Sequence, residues 1–330
     1  MNKSNLRTLL LGSLGMLVII LDGKTAISGM RKGLDLCLNT LVPSLFPFFV
    51  LSTLVTSSLM GTSVKAAGFL SKFCRMPAGS ESLLFVGLLG GYPLGAGNIA
   101  LEYKRGTISK ADAERMAIFC NNAGPSFLFG ILGPMFTNIR LVWLLWSIQI
   151  TATLLTGFLL PGSTSVSLRP TESDCISVSD ALSRSIRNMA LVSSWVVLFR
   201  VILEFFQTYI PYQIPILLTG LLELSNGCYL LSHIQSQWLR FFVAGIMLSL
   251  GGICVWMQTK SVFPELNLLR YITGRLLHCL ICMAISLMTV LLMGNNSTFN
   301  IQALIIIICF ALISVVLFLR KPKKEVAFYG

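Results

Sequence analysis

Each half of this chain carries two apolar segments that glycine and polar residues interrupt, and the interruptions occupy matching positions. The first half has LLGGYPLGAGN (Leu88–Asn98) and CNNAGPSFLFG (Cys120–Gly130). The second half has GLLELSNG (Gly220–Gly227) and LSLGGICVWMQ (Leu248–Gln258). A membrane-spanning helix normally avoids such breaks, because lipid offers no partners to the freed backbone groups. Paired breaks of this kind are typical of a substrate site between two transporter repeats.

The composition indicates an all-α integral membrane protein. Hydrophobic residues make up 55% of the chain and charged residues only 12%, about half the charged share of a soluble domain. The longest polar segment, Pro161–Arg187, is too short to bury a core, so we expect a single transmembrane domain over 1–330. The net charge of +12 is typical of basic cytoplasmic loops. We therefore expect the cell membrane as the environment, and no nucleic acid as a partner.

Eight segments are long enough to cross a bilayer, which takes about twenty apolar residues. The predicted crossings are 6–21, 41–60, 116–136, 141–160, 188–207, 239–258, 276–293 and 301–319. Two further segments, 81–100 and 212–232, are predicted to be re-entrant hairpins. The loops that flank 81–100 are both basic and indicate the cytoplasmic side, whereas those that flank 212–232 lack Lys and Arg and indicate the external side.

This topology places most basic residues in cytoplasmic loops and in the basic C-terminal tail. The loop residues assigned to that side are Arg169, Arg184, Arg187, Lys260, Arg270 and Arg275. Residues 25–39, which carry external Arg31 and Lys32, are expected to form an interfacial amphipathic helix. Arg200 and Glu204 lie one turn apart and are expected to pair with each other near the outer surface.

The hairpins and crossings define two repeats, about 41–160 and about 188–293, with peripheral helices at 6–21 and 301–319. Three crossings separate the start of one repeat from the start of the next. Because an odd number of crossings reverses direction, the two repeats are predicted to be inverted. Gly87 and Gly220 then occupy equivalent positions.

The segment CNNAGPSF predicts a half-helix that starts near the middle of the membrane. Gly124 tolerates unusual backbone angles, and Pro125 suits a first helical turn. The free N–H groups and positive dipole end of such a half-helix suit an anionic group. Asn121, Asn122 and Ser126 would add uncharged donors and acceptors. The alternative is a kinked span that packs on its neighbours, although adjacent asparagines within a span are costly without partners.

The segment Gly90–Pro93 predicts the tip of the first hairpin, because its two glycines and its proline allow a tight reversal. Three glycines at four-residue spacing, starting at Gly87, also fit a helix-packing motif. Pro93 argues against one continuous helix there. Tyr92 would stack on a planar ring of the substrate or lie at the membrane interface.

In the second half, Glu223 is the only carboxylate well inside an apolar run. Such a group is a candidate for proton or sodium coupling, or for binding a donor group of the substrate. A structural pairing is the alternative. Gly251 and Gly252 break the span 239–258, and Gln258 would close the site or lie at the interface.

The predicted substrate-binding residues are the polar, glycine and proline residues of the four breaks. They are Gly90, Gly91, Tyr92, Pro93, Asn98, Asn121, Asn122, Gly124, Pro125, Ser126, Glu223, Ser225, Asn226, Gly251, Gly252 and Gln258. No cofactor is expected apart from a coupling ion, H+ or Na+. No metal site is expected either, because His278, Cys279 and Cys282 lack a fourth ligand.

The order of the four broken motifs resembles the YlbJ (SpoVV) family of sporulation integral membrane proteins, over about residues 30–290. The resemblance rests on GGYPLGA, CNNAGPSFLFG, GLLELSNG and SLGGICVWMQ. It implies a nucleoside-recognition Gate domain and a fold similar to that of concentrative nucleoside transporters. It also implies movement of dipicolinic acid into the forespore, across the outer forespore membrane, along a path lined by the residues of the breaks.

The sequence thus predicts a transporter of a small planar polar or anionic metabolite, with dipicolinic acid favoured by the resemblance. The alternatives are a cation-coupled symporter of nucleosides or other metabolites, and a non-transporting membrane assembly factor. No enzyme is predicted. An intramembrane hydrolase would need Ser126 as nucleophile and His278 as base, but Phe127 stands where a glycine would follow that serine.

Overall fold

A computed structural model describes residues 3–59, 68–162, 176–210, 212 and 214–293. Every regular element within these ranges is helical. The α-helices are α1 (Lys3–Leu21), α2 (Gly23–Leu36), α3 (Val42–Leu59), α4 (Gly68–Phe73), α5 (Glu81–Gly90), α6 (Leu94–Lys104), α7 (Lys110–Phe119), α8 (Pro125–Phe127), α9 (Ile139–Leu159), α10 (Val178–Tyr209), α11 (Ile216–Leu222), α12 (Leu224–Leu230), α13 (Gln237–Leu250), α14 (Gly252–Val262) and α15 (Leu268–Met293).

Five described helical stretches are long and apolar enough to cross a membrane. They are Gly23–Ser58, Ile139–Leu159, Val178–Tyr209, Gln237–Val262 and Leu268–Met293. The predicted all-α membrane class is therefore confirmed, whereas the count of eight crossings and the inversion of the repeats stay predictions. The predicted helix 301–319, the basic tail and Arg169 lie outside the described residues.

The chain folds back on itself at both predicted hairpins. Between α5 and α6, a Cβ added to Gly95 would lie 3.1 Å from the Cα of Gly87. Between α11 and α12, a Cβ added to Gly227 would lie 2.3 Å from the Cα of Gly220. The glycines thus allow the two arms of each hairpin to touch through their backbones, so the first hairpin uses its glycine motif for packing as well as for reversal.

Both predicted breaks in long helices are present. The first separates α7 from α8, which continues as a π-helical turn and a 3-10 turn to Met135. The second separates α13 from α14 at Gly251. Gly251 and Gly252 both have positive φ, +75° and +77°, a region that only glycine enters at little cost.

The longest helices pack side by side. Residues 23–58 form one helix of 36 residues through a π-helical turn at Cys37–Leu41. Its first part lies antiparallel to α10, because Gly33 lies against Val197 and Gly29 lies against Val201. The expected pair of Arg200 and Glu204 is formed at 2.8 Å, and Lys32 of α2 joins it at 2.6 Å from Glu204.

The helix predicted at residues 25–39 is present as α2 and the π-helical turn after it, and its interfacial position stays a prediction. Its two glycines, Gly29 and Gly33, form a surface flat enough for the backbone of α10 to approach, so α2 packs on a neighbouring helix. The same region continues directly into α3, which the charge pattern alone did not indicate.

Four arginines assigned to cytoplasmic loops lie in helices instead. Arg184 and Arg187 belong to α10, which begins early because Ser177 caps it: the Ser177 hydroxyl accepts the Asp180 N–H at 3.1 Å. Arg270 and Arg275 belong to α15. The positive-inside rule assigns a basic segment to one side of the membrane, but it does not distinguish a loop from the end of a long helix.

We predict that Gly29→Ala lowers the thermal stability of the purified protein, because the added Cβ would lie 2.8 Å from the Cα of Val201. Overpacking of this kind typically costs about 1–3 kcal/mol. Gly15→Ala in α1 is the control, since nothing lies within 4 Å of its added Cβ. Melting temperatures in detergent measure the effect, and equal values for the two variants would contradict the α2–α10 contact.

Candidate functional site

The first hairpin tip lies directly against the first helix break. The Tyr92 N–H donates to the carbonyl oxygen of Asn122 at 2.8 Å. A Cβ added to Gly91 would lie 2.6 Å from the nitrogen of Gly124, and Gly91 has φ +73°. No other residue type fits position 91 without displacing the break, so backbone contact fixes the tip and the start of α8 together.

The second hairpin meets the second break in a similar way. A Cβ added to Gly252 would lie 2.7 Å from the carbonyl oxygen of Gly220 and 2.9 Å from that of Leu221. These carbonyls belong to the end of α11, where α-helical partners are missing. In both halves, a glycine in the broken span allows the bend of the hairpin to approach its backbone.

The two asparagines of the first break serve the scaffold. Asn121 is fully buried, and its Nδ2 donates to the Thr259 Oγ1 at 2.9 Å and to the Tyr271 hydroxyl at 3.1 Å. The Oδ1 of Asn122 accepts a hydrogen bond from Arg275 at 2.8 Å. These bonds turn both side chains toward α14 and α15. Both amides thus have protein partners, as the alternative of a kinked span packed on its neighbours requires, and their role in substrate binding stays a prediction.

Arg275 of α15 is a buried cation that the sequence reasoning missed. It is 1% exposed, and its Nη1 donates to the carbonyls of Ile118 at 3.1 Å and Asn121 at 3.2 Å. Its Nη2 donates to the carbonyl of Ser249. Among the described residues no carboxylate pairs with it. Arg275 therefore satisfies carbonyls at the ends of both α7 and α13, where the helix dipoles are negative.

A small cavity lies where the breaks meet, with a volume of about 30 Å³. Polar and backbone groups of the breaks form one part of its wall, and apolar side chains of α10 and of the helix 23–58 form the rest. The described lining residues are Leu41, Leu45, Phe49, Gly90, Gly91, Tyr92, Gly124, Ser126, Phe127, Val192, Val196, Glu223, Leu224, Ser225, Val255 and Gln258. Ligand clefts commonly measure ~300–1,000 Å³, so a metabolite needs these walls to move apart.

Glu223 provides the charge of this cavity. Its side chain is 1% exposed and caps the start of α12: Oε1 accepts the Ser225 N–H at 3.0 Å, and Oε2 accepts the Asn226 N–H at 2.6 Å and its Nδ2 at 2.7 Å. No Lys, Arg or His forms an ion pair with it in the described part of the chain. The proposed structural pairing is thus a helix cap, and it gives the carboxyl group no cationic partner among the described residues.

Half of the sixteen predicted residues line the cavity and half do not. Those in the wall are Gly90, Gly91, Tyr92, Gly124, Ser126, Glu223, Ser225 and Gln258. Those outside it are Pro93, Asn98, Asn121, Asn122, Pro125, Asn226, Gly251 and Gly252. Most of the second set shape the breaks. The Nδ2 of Asn98 donates to the carbonyl of Leu94 in its own helix at 2.9 Å. Their roles in binding stay predictions.

His278 is engaged away from Ser126. Its Nδ1 lies 3.1 Å from the Thr156 Oγ1 and its Nε2 lies 3.3 Å from the Gln149 Oε1, both on α9. The Ser126 hydroxyl, by contrast, has no partner among the described residues and lines the cavity. Ser126 and His278, the two members of the hypothetical hydrolase pair, therefore lie in different environments.

Comparison with known proteins supports the resemblance drawn from the motifs. The chain is 25% identical over 321 residues to the sporulation integral membrane protein YlbJ of Bacillus subtilis (strain 168), with 81% of this chain and 78% of that protein covered. The predicted likeness to the YlbJ family is confirmed. No family model and no solved structure matches the chain. Like this relative, the chain is a multi-pass integral membrane protein, as its apolar helices indicate.

We predict that Arg275→Met strongly destabilises the protein, because buried carbonyls at the ends of α7 and α13 lose their donors. Each buried acceptor left unpaired costs roughly 1–3 kcal/mol. Arg270→Met on the same helix is the control: its side chain is half-exposed and pairs with Glu114 at 3.3 Å, a contact worth about 0–1 kcal/mol. The melting temperatures of the two variants measure the effect, and equal losses of stability would contradict the role of Arg275.

Proposed function

We propose that the chain is a membrane transporter of a small planar metabolite that carries polar or anionic groups. The observation that carries this proposal is the cavity at the meeting point of two helix hairpins and two broken helices. Such breaks are tolerated at membrane depth where they are buried in protein or line a substrate site. The proposal includes two inverted repeats around this cavity.

The proposed cargo is dipicolinic acid, because the chain resembles a sporulation protein family for which we expect that cargo. In this proposal the protein lies in the outer forespore membrane and contains the Gate domain. The cavity is lined by aromatic Tyr92 and Phe127, whose ring centroids lie 6.1 Å apart. Flat aromatic acids suit such a wall, since rings stack and tilt against one another at this spacing.

The charge of the cavity favours one alternative cargo. Glu223 is the only charged residue among the described lining residues, and an acidic wall suits a neutral ligand that travels with a cation. A cation-coupled nucleoside symporter is therefore the second candidate. Uptake of nucleosides rather than carboxylic acids, with and without sodium, distinguishes it from the first.

We predict that Ser126→Phe abolishes transport, because a phenyl group fills a cavity of about 30 Å³ and prevents a ligand from entering. The measurement is counterflow of labelled dipicolinate in vesicles that contain the purified protein, since exchange needs no knowledge of the driving ion. The control is Ser147→Phe, because Ser147 lies exposed on α9 and away from the cavity.

Ser225→Val, on another part of the same wall, tests the role of the cavity in counterflow with a smaller change in side-chain volume. Gel filtration verifies that each variant is folded. Wild-type counterflow in folded Ser126→Phe would contradict the site. Absence of dipicolinate counterflow in the wild-type protein, together with nucleoside counterflow, would replace the first candidate with the second.

A further inference from the structure

Two polar side chains in the cavity have unused hydrogen-bonding capacity. The Tyr92 hydroxyl is buried without a hydrogen-bond partner in the described part of the chain, and the residue is only 9% exposed. The Glu223 carboxylate accepts three N–H donors; a carboxylate offers about four lone-pair sites, and the only other donor near it among the described residues is the rotatable Ser225 hydroxyl. Both residues line the same small volume, so a ligand there meets an available phenol and an available carboxylate oxygen.

The position of Tyr92 is fixed by the scaffold. Its N–H is hydrogen-bonded to the carbonyl of Asn122 at 2.8 Å, and its ring tilts against Phe127. A buried polar group without a partner is unfavourable, and the contact with Phe127 orients the Tyr92 ring. A bound ligand that supplies the missing partner therefore gains from a group that is already in place.

Within the described ranges, the surroundings of Glu223 supply no positive charge. The titratable groups that interact with it are the thiols of Cys37, Cys228 and Cys254 and the Tyr92 phenol. Arg275 donates to the Asn122 Oδ1 and to backbone carbonyls such as that of Ser249, and it is not in the cavity wall. The ion cluster on α10, Arg200 with Glu204, is paired within itself and with Lys32.

A second carboxylate cannot share this space in ionised form. Two carboxylates at close range in a low-dielectric site hold one proton between them, because both cannot keep their negative charge. One lone-pair site of Glu223 remains beside its three N–H donors when the rotatable Ser225 hydroxyl turns away, and a single O–H from the ligand fills it. A sodium ion needs several oxygen ligands at once, which suits this partly occupied carboxylate less well.

From this geometry we infer that the cavity binds a carboxylic acid between the Tyr92 hydroxyl and the Glu223 carboxylate, with one proton held between Glu223 and the ligand. The inference rests on the proposed transport function and names its driving ion. The proton comes from water on the side of entry, neutralises one of the two carboxylates on binding and leaves with the ligand on the opposite side. Transport of the acid is then coupled to a proton.

The test is uptake of labelled dipicolinate by vesicles that contain the purified protein, at several external pH values and with imposed proton or sodium gradients. For the wild-type protein we expect uptake to fall as external pH rises, to be driven by an inward proton gradient and to be indifferent to sodium. The sign follows because the proton must be present for the acid to bind beside Glu223.

Two variants separate the roles of the two groups. Glu223→Gln is expected to retain counterflow but to lose the pH dependence and the response to a proton gradient, because an amide does not gain or lose a proton in this pH range. Tyr92→Phe is expected to raise KM about tenfold with little change in maximal rate, the loss typical of one hydrogen bond. Glu81→Gln and Tyr229→Phe are matched controls, one buried outside the cavity and one exposed.

The outcomes are distinguishable. Uptake that is independent of pH, or that is driven by sodium, overturns the inference and leaves the transport function standing. A pH dependence that persists unchanged in folded Glu223→Gln also overturns the inference. Should that variant fail to fold, the pH profiles of Glu223→Asp and of the wild-type protein decide whether the inference stands. Absence of uptake and counterflow for every carboxylic acid tested overturns the proposed function itself.

Discussion

Backbone groups that are freed at a helix break must find partners inside the protein, because the surrounding lipid offers none. Here the partners come from backbone contact between breaks and from one buried guanidinium. Tyr92 donates to the carbonyl of Asn122, and Arg275 donates to carbonyls at the ends of α7 and α13. A cation at these two carboxyl ends also offsets their negative dipoles. The breaks therefore depend on one another for their backbone partners.

This requirement divides the polar residues of the breaks into two groups. Asn121 and Asn122 satisfy the scaffold, since their amides bond α14 and α15. Tyr92, Ser126 and Glu223 line the cavity and retain unused donors or acceptors. The scaffold group holds the second group in place, and the same backbone contacts that close the breaks define the cavity wall.

The parts of the fold that depend on local chemistry could be predicted from the sequence. Gly91 and Gly251 allow the positive φ that a reversal or break needs, and Pro93 disfavours a continuous helix, so the hairpin tip and the breaks were found where they were expected. The family resemblance followed from the same motifs. Gly29 and Gly33 also carried a packing signal, a four-residue spacing of small residues, which the charge of α2 obscured.

The partners of the breaks could not be predicted in the same way, because they depend on contacts between distant segments. Arg275 is more than 150 residues from its partners Ile118, Asn121 and Asn122 along the chain, and near a basic loop it resembled any other charged flank. The apolar wall of the cavity, with Leu45 and Val196, is equally invisible, because those residues look like ordinary span residues until the helices are packed.

The most direct test of the account is an electron cryo-microscopy map of the purified protein with dipicolinate. The account predicts that density for the ligand lies between the Tyr92 hydroxyl and the Glu223 carboxylate, with the walls at Gly91 and Ser126 moved apart to admit it. Density at another place with this cavity unchanged, or continuous helices through residues 120–124 and through Gly251, would contradict the central claim that the helix breaks build the binding site.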